Sequence, residues 1–300
     1  MKKNLDYLIR GLIKKLNIRF SFVETSSTVA DAIRIHSADP LSALVFGKSL
    51  TVAALMSPLL NGEEKYSLKW EYSGLLGSII ADVNADCDVR GIPKETVLMD
   101  KVATNEELYG DSGTITLIKA ENGKILNSGT APAGLLEVAD DIAFFMATSD
   151  QIETEFLISS SFNPDPENPV NIFAGLMIQA MPGCDLKEFD KLRENLQLGN
   201  AMSVLNAKDI PVEKKLLTLI SSILGEDMPL NELKEKYSVS YDFAPSPSYT
   251  CSCSREKMKA AIMLLEKDEI REMFEKNEHP KIVCQFCKTE YTFGPEEFSL

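Results

Sequence analysis

The sequence predicts an α+β protein: a mixed sheet-and-helix core over residues 1–224, a connector over 225–249 and a small cysteine-bearing domain over 250–300. Three observations predict it. Period-two runs bunch between residues 65 and 131 while helical patterns sit towards the two ends of the core, the grouping of α+β rather than the alternation of α/β. Residues 238–249 are rich in Ser and Pro. Four of the six cysteines, Cys251, Cys253, Cys284 and Cys287, crowd the last fifty residues.

Ile18, Phe20 and Phe22 alternate with Arg19 and Ser21, the pattern of a half-buried strand. A helix is expected from Thr28 to Ser37. Asp39-Pro40 then reads as the N-cap and first residue of a second helix, running to about Leu60 and stopped by Asn61-Gly62. Tyr66, Leu68, Trp70 and Tyr72 alternate with Ser67, Lys69 and Glu71. Ser78–Val83 and Val89-Arg90-Gly91 read as further strands, and Thr114–Ala120 and Ile125–Thr130 as a hairpin turning on Asn122-Gly123. Leu135–Gln151 carries a helical apolar face through Ala139, Ile142, Phe145 and Met146. Strands are expected at Thr154–Ser159 and Asn171–Met181, and helices at Leu186–Leu198 and Pro211–Leu224. A short helix follows Pro229, reaching Tyr237. In Ala244-Pro-Ser-Pro-Ser248 two prolines two apart exclude helix and imply an extended connector.

With 31 basic and 45 acidic residues among 300, the formal net charge is −14 and the isoelectric point near 4.7. Such a chain lacks the positive field by which proteins bind phosphate backbones, so no nucleic-acid partner is expected. Membrane partnership is not expected either. The most apolar stretch, Leu41–Leu60, contains Lys48 and Pro58 and reads as a buried helix, and Asp6, Arg10, Lys14 and Lys15 interrupt what would be a signal-peptide core. A cytoplasmic location is the resulting expectation.

The cysteines read Cys251-x-Cys253, thirty residues, then Cys284-x-x-Cys287. Two close pairs of thiolates are what a tetrahedral Zn²⁺ requires, one pair to each edge, so the last fifty residues are expected to form a Cys₄ zinc-binding domain. Ser254 is placed to cap a helix from Arg255 to about Glu266. Ile270, Met273 and Phe274 mark a second helix, while Ile282-Val283 and Tyr291-Thr-Phe293 mark a hairpin around the second pair. Fifty residues bury too little for an easy apolar core, and a structural zinc would supply the missing free energy. A catalytic zinc would include His or carboxylate and keep an open position. His279, within Asn277-Glu-His-Pro280, reads as a turn residue, and His36 as structural. Cys87 and Cys184 read as core bystanders. A nucleic-acid ribbon is disfavoured by eight basic against ten acidic residues in 251–300. A thioredoxin-like enzyme is disfavoured because Cys284-x-x-Cys287 lies outside any βαβ unit. With only two histidines and no convergent catalytic set, no enzyme activity is expected.

The one-residue spacer has its own chemistry. Residues two apart on extended chain have Cα atoms about 6.6 Å apart, so a Cys251–Cys253 disulfide is reachable but strained, and strained disulfides are the readily reduced kind.

Cys251-Ser-Cys253-Ser-Arg-Glu256 followed by Val283-Cys-Gln-Phe-Cys287 resembles the 33 kDa heat-shock chaperonin family. The likeness extends through Gly74 to Val89-Arg90-Gly91, the Gly110–Gly113 to Gly129 hairpin region and Ala174-Gly-Leu-Met-Ile-Gln-Ala-Met-Pro-Gly183. The chain departs from the family pattern at Ser149-Asp150-Gln151 with Ile152-Glu153, and at Ile92-Pro93. The resemblance implies a redox-regulated, ATP-independent holdase, inactive when reduced and zinc-bound. Oxidation would then release zinc and form disulfides, expected as Cys251–Cys253 and Cys284–Cys287. The domain and its metastable connector would unfold, and a homodimer would bind unfolding client proteins. The alternative from the residues alone is a zinc-ribbon module that binds a protein or nucleic acid without redox switching.

Overall fold

The computed structural model describes residues 6–165, 167–208, 210–276 and 279–298. The chain divides into two compact units, Met1–Tyr249 and Thr250–Leu300.

The first unit begins with β1 (Tyr7–Ile13), β2 (Ile18–Glu24), α1 (Ser26–His36) and α2 (Pro40–Met56). It continues through β3 (Glu64–Tyr72), β4 (Ser78–Asn84), β5 (Asp88–Pro93), α3 (Asn105–Tyr109), β6 (Gly113–Glu121), β7 (Lys124–Pro132) and α4 (Val138–Thr148). Then come β8 (Thr154–Phe162), β9 (Val170–Ala180), α5 (Leu186–Leu198), α6 (Ala201–Asn206), α7 (Val212–Leu224), α8 (Leu230–Lys236), β10 (Val239–Ala244) and β11 (Ser248–Tyr249). Among the described residues these strands form a five-stranded sheet, β10-β1-β2-β9-β8, and a six-stranded sheet, β11-β5-β4-β3-β6-β7. Neighbouring strands run antiparallel except β11, which lies parallel to β5.

The chemistry of α2 dictates its place. Asp39 caps it, accepting from Ser42 N at 2.8 Å, and Pro40 opens it. Its apolar residues run all round rather than along one stripe, so it must be covered on every side. It packs against β4 and β5 of one sheet and β2, β8 and β9 of the other, between the two. The stretch Pro40–Leu59 is long and apolar enough to cross a membrane by length and composition, but 78% of its most apolar window is buried inside the fold. Phe46, Leu50, Trp70, Ile79 and Phe145 belong to the core that surrounds this helix. A second core covers the other face of the five-stranded sheet, where Ile9, Ile13, Phe20 and Phe22 meet Phe189, Leu192, Leu216 and Ile220 of α5 and α7. Asp6 fixes the start of α1, its carboxylate accepting from Ser27 N, Thr28 N and Thr28 Oγ1 at 2.7–2.9 Å. The β6–β7 hairpin turns on Asn122 and Gly123, both at positive φ.

Residues 225–249, read from composition as a connector, lie in the first unit. Their extended stretches each find a sheet edge: β10 pairs with β1 and β11 with β5. The attachment is thin. Of the six residues of β10 only Val239 is buried, whereas β2 buries five of seven. Phe243 is left 56% exposed. Tyr249 is held by its hydroxyl, 3.0 Å from His36 Nε2 and donating to Gly91 O at 3.0 Å.

The second unit contains α9 (Arg255–Ile262), α10 (Lys267–Glu275) and a hairpin of β12 (Lys281–Val283) and β13 (Glu290–Thr292). Among its described residues four side chains are buried in its apolar core, Ile262, Ile270, Phe293 and Phe298, with Met258, Phe274, Ile282 and Tyr291 partly buried against them.

Candidate metal centre

The second unit places one cysteine pair before a helix and the other on a hairpin. Cys251 and Cys253 lie on non-helical chain leading into α9, whose N-cap Ser254 accepts from Lys257 N at 3.3 Å. Cys284 follows β12, and the knuckle turn closes with Lys288 N donating to Cys284 O and Cys284 N to Thr289 O, at 2.8 and 3.0 Å. Lys288 takes a positive φ to make that turn. Arg255 ties the helix start to the rest of the unit. Its guanidinium forks onto Glu297, donates to Thr292 O at 2.6 Å and lies over the Phe293 ring at 4.5 Å.

The Sγ atoms of Cys251, Cys253, Cys284 and Cys287 all lie within 4.8 Å of one another. Cys251 and Cys284 are 3.7 Å apart, Cys253 and Cys287 3.4 Å. A tetrahedral ion with metal–sulfur bonds of about 2.3 Å would space its ligands about 3.8 Å apart, so the four sulfurs are already grouped as such a site needs them. Cys284 is buried and the other three are half-buried.

The thiols of the cluster are not alike in how readily they ionise. Partial burial opposes ionisation of Cys287, but hydrogen bonds from Thr289, with those from Cys253 and Cys284, outweigh it and bring the thiol down to about 7. Burial and the shared hydrogen bonds push Cys251 up to about 12. Cys253 is drawn down by the Tyr291 hydroxyl, 3.2 Å away, yet burial and its sulfur neighbours leave it raised. Cys287 ionises readily while ionisation of Cys251 and Cys253 is opposed, so holding all four sulfurs as thiolates would take a positive ion among them.

Tyr291 and Thr289, the latter with its Oγ1 3.2 Å from Cys287 Sγ, are the outer partners that sequence reasoning did not single out. Thr289 had a local signal, sitting two residues beyond Cys287. Arg255 carried none beyond its place in the motif.

The remaining candidates lie elsewhere. His279 is exposed, with Phe274 as its ring neighbour at 6.1 Å, and the turn expected around it lies in part outside the described residues, at 277 and 278. His36 is buried in the first unit against Phe46. Cys87 is fully buried in the α2 core, its thiol pushed up to about 12 by burial. Cys184 is half-exposed, and burial also raises it. Native-state alkylation with iodoacetamide should therefore leave Cys87 unmodified until the first unit unfolds, and peptide mass spectrometry reads this directly. Labelling of Cys87 in the folded protein would contradict its placement.

A family profile described as Hsp33 protein matches residues 6–294. The 33 kDa chaperonin of Bacillus licheniformis is 28% identical over 298 residues, covering 98% of this chain and 97% of that protein. Its counterpart in Enterococcus faecalis is 30% identical over 297 residues, covering 97% and 94%. Among solved structures, the 33 kDa chaperonin of Thermotoga maritima shares the fold with a TM-score of 0.80 over 97% of this chain and 96% of its own, at 24% identity. These relatives are named as chaperonins, not as enzymes. With the match running through both units and across the cysteine cluster, the chain belongs to the Hsp33 protein family and is a chaperone rather than an enzyme.

Proposed function

We propose that this chain is a redox-switched, ATP-independent holdase whose sensor is Cys251, Cys253, Cys284 and Cys287. What carries this reading is that four thiols are gathered within 4.8 Å in a unit with, among its described residues, four buried side chains in its apolar core. Such a unit depends on the state of its sulfurs. A closed set of four thiolates suits zinc, which would cross-link the two halves of the unit when bound. Oxidation removes that cross-link. In each pair two thiolates lose two electrons and join as one S–S bond. Hydrogen peroxide takes the electrons with two protons from solvent and leaves as two waters. Disulfide sulfurs are poor ligands, so the oxidised cluster no longer holds the ion. The pairing Cys251–Cys253 and Cys284–Cys287 is the one implied by the resemblance.

The consequence reaches residues 225–249 through the chain itself. Cys251 is two residues beyond β11, and β10 is docked by one buried side chain. Once the second unit unfolds, this connector is the next least stable segment. Its release uncovers the β1 edge of the second core, an apolar surface suited to unfolding client proteins. The dimer of the active state and the cytoplasmic setting belong to the same reading, and the acidic surface keeps such a protein soluble.

Peroxide treatment tests the sensor. Four thiols per chain should disappear together with one equivalent of zinc, followed by a thiol reagent and a chromogenic chelator. Loss of thiols with the metal retained would contradict the switch.

A further inference from the structure

A cavity of about 340 Å³ opens on the five-stranded sheet where β10, β1 and β2 run side by side. Arg10 of β1, Arg19 of β2 and Asp242 of β10 are its charged lining. Arg19 is the unusual member. It is half-buried, its Nε donates to Gln179 Oε1 at 2.6 Å, and among the described residues no carboxylate pairs with it. Arg10 spends its Nε on Asp242 at 3.0 Å. Two guanidinium groups against one carboxylate leave one positive charge in excess, in a chain of net charge −14. A half-buried cation without a counter-ion is costly, and a guanidinium presents a fork of donors shaped for oxyanions. Leu12 and Leu59 add apolar wall, and the volume lies at the lower end for small-molecule sites.

We propose that this cavity binds a small organic phosphate, its phosphoryl oxygens on Arg19 and Arg10 and its body against Leu12 and Leu59. Ser240 and Asp242, which complete the cavity, belong to β10. β10 thus supplies one wall of the cavity, and a ligand held between that wall and the arginines favours the docked state. Ligand at a hundred times its Kd shifts that equilibrium about a hundredfold. The site stands apart from the redox reading; only its effect on switching rests on that reading, as a brake on activation.

Titration calorimetry on the reduced full chain tests the site, with phenyl phosphate and inorganic phosphate as probes at matched ionic strength. Saturable binding of one phenyl phosphate per chain is expected, weakened about tenfold or more in Arg19→Gln. Arg10→Gln, at a side chain already 53% exposed, should weaken it too and serves where Arg19→Gln fails to fold. Weaker binding of inorganic phosphate would show that the organic body contributes. Equal binding would show that the phosphoryl group suffices, and would overturn the part given to Leu12 and Leu59. Hydrogen exchange at Val239–Ala244 should slow with the probe in the parent chain and not in the arginine variants. No saturable binding of either probe up to about 10 mM would overturn the proposal, as would binding unchanged in both variants, or binding that leaves exchange in β10 unaltered. None of these readouts involves oxidant or client, so failure here and failure of the holdase reading are told apart.

Discussion

Replacing Cys284 by Ser is expected to unfold residues 250–300 and leave the first unit folded. Cys284 is the buried member of the cluster, and its loss breaks a closed four-sulfur site. Structural zinc contributes on the order of 10–16 kcal/mol in small domains of this kind. Among the described residues only four side chains of this unit are buried in its apolar core, too few to hold a unit of some fifty residues without the cross-link. Hydrogen exchange reads the result peptide by peptide. Amides of α9, β12 and β13 should lose protection, while those of α2, β3 and β9 keep theirs. A chelator acting on the parent chain should give the same map. Loss of protection in both units together would contradict their independence.

The second large effect is expected from Val239→Asp. Val239 is the one buried residue of β10, 4% exposed within the second core. An unpaired carboxylate there carries a cost of several kcal/mol, more than the roughly 1.5–3 kcal/mol that burying a valine contributes. The strand should therefore leave β1 while the remaining sheet holds. The reduced variant should bind an apolar dye and suppress client aggregation without oxidant, and Val239→Ala should do so weakly. Retained exchange protection across β1 and β10 in Val239→Asp would show that the segment is held by something other than this side chain.

What was legible in the sequence follows physical lines. Elements with one covered face declared themselves, β3 through its alternation and α4 through its helical stripe. Elements with explicit stop and start chemistry did so as well: Asp39-Pro40 opens α2 and Asn122-Gly123 turns the β6–β7 hairpin, where each is found. β1 went unread because it buries apolar residues on both faces. Leu8 enters one core and Ile9 the other, so no period of two survives. α3 and α6, of five and six residues, are too short to show a period at all. β10 is hidden for the opposite reason: with a single buried residue it carries the composition of a connector even while paired. The cysteine cluster was legible from spacing alone. Of its outer partners Thr289 lay within reach of a local reading, two residues beyond Cys287, whereas Tyr291 meets Cys253 through a hairpin register that only the folded chain displays.

Oxidation is expected to turn this chain into a client binder. Light scattering from a thermally unfolding client protein reads this out, with reduced and with peroxide-treated samples of the chain side by side. Suppression of scattering by the oxidised sample alone, without ATP, is the predicted result. Suppression by the reduced sample to the same extent, or by neither sample once its four thiols are gone, would contradict it.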